Sequence, residues 1–270
     1  MSLKNFIAAT CLSSAIVMGA ANAQDASKRT PHDGPHAKPT VVLVHGAFAD
    51  SSSWAGVIVQ LSAQGFKVVA ASNPLRGLAY DAAEVSDLIK SIPGRVLLVG
   101  HSYGGQVITA AGSDKIAALV YVDGFAPETG ESASDIDHRF PGATLGATLA
   151  PPVGLSDGGK DLYIRQELLP AQFAADVPAD KAKLMAVEQR PVTEAALNDK
   201  LQGTPAWKTI PSYFIYGSLD KNITPAALAF MAERAGSKRT VVVPGGSHVV
   251  MISHPDRVAK LIVEAAATNP

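Results

Sequence analysis

The chain has 270 residues, 47% of them hydrophobic and 17% charged, with 23 Lys and Arg against 24 Asp and Glu and a net charge of −1. That length and balance suit one large α/β domain or two small ones with a sizeable core, and the absence of a long basic run argues against a nucleic-acid partner. The single cysteine, Cys11, leaves no disulfide framework and no zinc–thiolate site.

The first residues read as a secretory signal over 1–23. Lys4 supplies the positive region, 6–18 is apolar but too short to span a bilayer, and Ala21-Asn22-Ala23 fits a small-x-small cleavage site. Cleavage after Ala23 predicts a periplasmic or secreted protein with no further membrane contact; an uncleaved anchor is the competing expectation. Residues 24–39 are polar and rich in Pro, Gly and His, a flexible leader in which His32 and His36 are incidental rather than metal ligands.

From residue 40 onwards short apolar runs alternate with helical spacing. Strands are expected at 40–44, 66–70, 95–99 and 116–122, with helices over 53–64, 80–91 and from 106 onwards. Between 126 and 205 the rhythm stops. Pro127, Pro141, Pro151, Pro152, Pro170, Pro178 and Pro191 break up the stretch, and short helices are expected at 162–169, 179–188 and 193–202, the profile of an inserted helical cap. Alternation resumes with strands at 211–216 and 240–243 and helices at 225–235 and 253–267, the last with Ser253 as N-cap. The pattern predicts an α/β fold, a mostly parallel sheet flanked by helices, built from 40–125 and 206–270.

The densest chemical signal is Gly100-His101-Ser102-Tyr103-Gly104, placed between a predicted strand and a predicted helix. A strand that becomes a helix within so few residues turns sharply, and the flanking glycines let it hold the Ser102 hydroxyl clear of the backbone as a nucleophile. A serine needs a base, and the base needs an orienting acid. His248, in a glycine-rich loop past the last strand, is the expected base, with His254 as competitor. Asp220, after a glycine turn, is the expected acid. Asp123 is the rival, with a structural role, bonded to loop amides beside the site, as its other explanation. The oxyanion donors are expected from the Tyr103 amide and from the loop after the first strand, Ala47 first and Phe48 second. His45 is expected to be structural.

Together His45-Gly46, the Ser102 motif, Gly217-Ser218-Leu219-Asp220 and Gly246-Ser247-His248 resemble the α/β-hydrolase superfamily over about residues 40–270. The small-ester branch, with plant methyl-ester esterases and hydroxynitrile lyases, is the most similar. The resemblance implies a Ser102–His248–Asp220 triad and oxyanion amides from Ala47 and Tyr103. Two departures bear on the reaction. The lyases carry threonine at the position of Gly46, and lysine where this chain has Val249, so cyanide has no stabiliser here. A serine nucleophile also argues against epoxide hydrolysis and dehalogenation, which use an aspartate.

The expected activity is hydrolysis of small, largely apolar carboxylic esters through an acyl-enzyme, with no cofactor and no metal. A cofactor-free perhydrolase and a small-molecule receptor are the alternatives. Phe48, Phe125, Ile223, Val249 and Met251 are expected around the substrate; the cap adds Phe140, Leu145, Leu168, Leu169, Phe173 and Met185, for which packing rather than pocket lining is the favoured reading. Arg139, Arg165 and Arg190 are the candidates for meeting a carboxylate. The partner is then a small ester, and the protein a monomer or homodimer.

Overall fold

The computed structural model describes residues 38–269. The proposed signal and cleavage site, Cys11, His32 and His36 lie outside the described residues.

In chain order the first half holds β1 (Thr40–Val44), α1 (Ala55–Ala63), β2 (Val68–Ala71), α2 (Leu78–Ser91), β3 (Val96–His101), α3 (Tyr103–Ala110) and β4 (Ile116–Val122). Next come α4 (Ala133–Arg139), β5 (Val153–Gly154), β6 (Lys160–Leu162), α5 (Leu169–Phe173), α6 (Ala179–Glu188), β7 (Val192–Thr193) and α7 (Glu194–Asn198). The chain closes with β8 (Ser212–Gly217), α8 (Pro225–Arg234), β9 (Arg239–Val243), α9 (Val250–Ser253) and α10 (Pro255–Thr268).

Six strands form one sheet in the order β2-β1-β3-β4-β8-β9, every pair parallel. The central four are buried throughout, which is why they read as unbroken apolar runs rather than alternating ones. Helix α3 lies on β1, β3 and β4 and carries α2, while α10 lies on β3, β4 and β8 and carries α1. Because all strands point the same way, the loops after β1, β3, β4, β8 and β9 gather at one edge, where an open parallel sheet places its ligands. No helix among the described residues is long and apolar enough to cross a membrane.

Several expected elements are corrected. The second strand begins at Val68, two residues late. No helix occupies 162–168. There Leu162 and Ile164 are buried while Arg165 is exposed, a period-two pattern, and β6 pairs with β5 and β7 in a three-stranded antiparallel sheet. The Gln189 amide continues that pairing, accepting from Ile164 N–H at 2.9 Å and donating to its carbonyl at 2.8 Å. The segment 126–205 therefore holds a small sheet as well as helices. The expected helix over 193–202 shrinks to Glu194–Asn198, capped by the Thr193 hydroxyl. The final helix starts at Pro255, not Ser253. Ser253 ends α9 instead, its hydroxyl bonded to Val249 O and His254 Nδ1.

Candidate active site

Ser102 sits on the turn from β3 to α3 with φ 53° and ψ −124°. A non-glycine residue in this region costs about 1–3 kcal/mol, strain that persists only where the surroundings enforce it. They do so by close approach. A Cβ at Gly100 would stand 2.5 Å from the Gly104 carbonyl oxygen, and one at Gly46 would stand 2.6 Å from Ser102 Cβ. The turn and the loop after β1 are thus in backbone contact.

His248, 1% exposed, comes from the loop after β9. Its Nδ1–H donates to Asp220 Oδ2 at 2.7 Å, and Ser102 Oγ–H donates to its Nε2 at 2.8 Å. Burial holds the imidazole well below its ordinary pKa, so it rests neutral and ready to take a proton. Asp220 Oδ1 accepts from the Asn222 and Ile223 amides at 2.8 and 3.0 Å, which fixes the carboxylate. Burial pushes this carboxyl upward and the two amides oppose it.

The competitors stand elsewhere. Asp123 is fully buried, but its oxygens accept from Gly217 N–H at 2.8 Å and Val250 N–H at 3.3 Å, tying together the loops that carry Asp220 and His248. Burial and the neighbouring Asp220 charge hold its carboxyl well above the ordinary range. His254 is bonded to Ser253 and stands 3.6 Å from Asp176. His45 is locked by Gly46 O at 3.0 Å and by Asn73 N–H at 3.1 Å; burial lowers its pKa to about 4.

His101, not singled out from the sequence, packs against the His248 ring with centroids 4.9 Å apart. Its Nε2 donates to the His248 carbonyl at 2.9 Å, while its Nδ1 is buried without a partner. Burial keeps it neutral. The Phe173 ring, from α5, covers the other approach to His248 at 5.0 Å.

Of the expected oxyanion donors, Phe48 is engaged: its N–H donates to the Arg190 carbonyl at 3.1 Å. Ala47 lies beside the Ser102 cavity. Tyr103 opens α3, where first-turn amides have no acceptor within their own helix. Its phenol points away, donating to Asp81 Oδ2 at 2.8 Å.

The cavity at Ser102 is small, about 40 Å³ of room for water-sized molecules. Phe48, Phe125, Leu145, Phe173 and Ile223 line it. Val249 and Met251 do not. Both are fully buried in the core, because the chain turns into α9 directly after His248 and carries their side chains inward. Met185 lines a separate groove beside α1. Phe140 packs at a tilt against Phe230, and Leu168 and Leu169 do not reach the cavity. No arginine lines it either. Arg139 lies over the Phe230 ring, Arg165 donates to the Ala147 carbonyl, and Arg190 is bonded to Ser72.

Three polar cavity residues went unread, of which Ser134 is satisfied, its hydroxyl donating to the Leu197 carbonyl at 3.2 Å. Asp137 on α4 and Asn222 after β8 each keep a buried atom, Oδ1 and Nδ2 respectively, without a hydrogen-bond partner. Such an atom costs about 1–3 kcal/mol. Burial, reinforced by the Asp220 charge, pushes the Asp137 carboxyl up to about 7. The signal for α4 was present in Ser132 and Asp135, which form a capping box.

The sequence model described as the alpha/beta hydrolase family matches residues 41–261. The chain belongs to this family. Among its relatives, methylesterase 8 of Arabidopsis thaliana is 26% identical over 245 residues, 81% of this chain and 86% of that protein. A pimeloyl-[acyl-carrier protein] methyl ester esterase of Aeromonas hydrophila is 26% identical over 83% of this chain and 94% of its own length. The chain spans only 64% of one longer chloroplastic relative of the plant methylesterase series. In three dimensions this hydrolase-family chain superimposes on polyneuridine aldehyde esterase with a TM-score of 0.72 at 19% identity, covering 84% of this chain and 98% of that one.

Proposed function

We propose that this member of the alpha/beta hydrolase family is a serine carboxylic-ester hydrolase acting on small, largely apolar esters. The observation that carries the proposal is the continuous hydrogen-bonded line from Ser102 Oγ through His248 to Asp220, at 2.8 and 2.7 Å. Along it His248 takes the Ser102 proton as Oγ attacks the ester carbonyl. Asp220 accepts from Nδ1–H, so the ring presents Nε2 as the base and the imidazolium is stabilised when it forms. The oxyanion is met by the Ala47 and Tyr103 amides. The imidazolium returns its proton to the departing alcohol, and a water activated by His248 then releases the acid from Ser102.

The apolar walls of Phe48, Phe125, Leu145, Phe173 and Ile223 support an uncharged substrate. Their enclosure supports a small one. Relatives named for methyl esters support a short alcohol as leaving group. Cyanohydrin cleavage has no support, because no lysine or arginine lines the cavity. The perhydrolase and receptor alternatives have no observation of their own. Turnover of p-nitrophenyl acetate against p-nitrophenyl decanoate tests the proposal. The acetate is expected to be hydrolysed faster, and Ser102→Ala to reduce its turnover at least about a thousandfold. Burst release without turnover, or equal rates in Ser102→Ala, would contradict it.

A further inference from the structure

We propose that Asp137 and Asn222 form a polar subsite that binds a hydroxyl group on the ester, so that the preferred substrate is a hydroxy-ester rather than a plain alkyl one. The inference rests on the hydrolase reading above. It begins from the mismatch of the two residues with their surroundings. Asn222 is 2% exposed, and the rotation of its amide is fixed from behind: Gln172 Nε2 donates to Asn222 Oδ1 at 3.0 Å. Gln172 is itself held, accepting from Thr144 Oγ1 at 2.8 Å and donating to the Lys221 carbonyl at 3.1 Å. The Asn222 amide therefore cannot exchange its ends without breaking this line, and its Nδ2 remains a donor with nothing to donate to. Asp137 contributes the opposite deficiency, a buried Oδ1 with nothing to accept from. Both residues line the cavity that holds Ser102 and His248, and most of the rest of that lining is apolar.

One donor and one acceptor left over in a single small cavity specify what complements them. A hydroxyl donates one hydrogen bond and accepts another, the two functions these atoms lack. An ammonium cannot accept from Nδ2, a carboxylate has no proton to give Asp137 Oδ1, and an alkyl group would leave both atoms unmatched. A site built to bind a substrate hydroxyl discriminates strongly against the analogue that lacks it, because the site's own polar atoms are then stranded.

The test is a matched comparison of kcat/KM. Methyl 3-hydroxybutyrate is compared with methyl butyrate for a hydroxyl on the acyl side, and 2-hydroxyethyl butyrate with propyl butyrate for one on the alcohol side. The native protein is expected to favour the hydroxylated member of at least one pair by about tenfold or more, mainly through KM. Asn222→Asp keeps the acceptor for Gln172 and removes the donor. Asp137→Leu removes the acceptor and is expected to raise Tm, because an apolar side chain no longer buries an unmatched carboxyl oxygen. Both substitutions should bring the ratio close to one, whereas Asp87→Asn, on an exposed helix face, should keep the native ratio. Hydrolysis of both members of each pair at equal rates by the native protein would overturn the subsite and leave the hydrolase reading standing. So would retention of the native ratio in Asn222→Asp and Asp137→Leu. Turnover of no ester at all would overturn the hydrolase reading and the subsite with it.

Discussion

Ser102 owes its place to backbone contacts and, in the proposed mechanism, its reactivity to His248, whose carbonyl is held by a residue that the motif conceals. His101 occupies the variable position of the glycine–serine turn, yet its Nε2 holds the carbonyl of His248 itself. We propose it as a positioning residue that acts through His248. His101→Phe preserves the ring and removes the donor. It is expected to lower kcat about tenfold while KM stays within about twofold, since misplaced catalytic groups cost rate more than binding. His101→Gln, which can still donate, should restore part of the loss; an unchanged kcat in His101→Phe would remove His101 from the account. At this scale Ser102, His248 and Asp220, the proposed nucleophile, base and acid, stood out because each follows a strand and lies within three residues of a glycine. Val249 and Met251 were misplaced because proximity in sequence to His248 says nothing about which way a side chain faces. Asp137 and Asn222 were invisible for the same reason. Their significance lies in what fails to bond to them, which only packing reveals.

At the level of elements, β1, β3, β4 and β8 could be read almost to the residue, because strands buried on both faces must be apolar throughout. Errors cluster where a local pattern competes with tertiary pairing. Residues 162–169 have the composition of a short helix, but β6 forms between β5 and β7, and Gln189 supplies strand-like bonds to Ile164. The last helix was placed two residues early because Ser253 resembles an N-cap, whereas α10 starts at Pro255, which needs no amide acceptor in the first turn. The junction between the β1 loop and the β3–α3 turn admits a direct test. Gly46→Ala puts a methyl carbon within 2.6 Å of Ser102 Cβ. It is expected to cost about 1–3 kcal/mol of stability and at least about tenfold in kcat/KM for p-nitrophenyl acetate. Gly112→Ala, which meets nothing within 4 Å, is the control and should behave as the native protein. Equal activity in the two variants would show that the loop and the turn are not in the contact described.

Over the whole molecule, the parallel sheet does one thing for function: it brings residues 102, 220 and 248, distant in sequence, to a single edge. Strand order and direction alone deliver Ser102 from β3, Asp220 from β8 and His248 from β9 to that edge. The alternation of strands and helices made this fold legible in the sequence. What covers the edge was less so, since 126–205 has no repeating pattern and its placement depends on contacts such as Phe173 with His248 and Arg76 with Asp161. We also propose that the protein works outside the cytoplasm, on the strength of Lys4, the apolar run after it and the Ala21-Asn22-Ala23 site. The central claim, that His248 activates Ser102, is tested most directly by labelling with a fluorophosphonate and locating the adduct by mass. The native protein should be labelled at Ser102, His254→Ala should be labelled at nearly the native rate, and His248→Ala should not be labelled. Labelling that survives in His248→Ala and vanishes in His254→Ala would contradict the account.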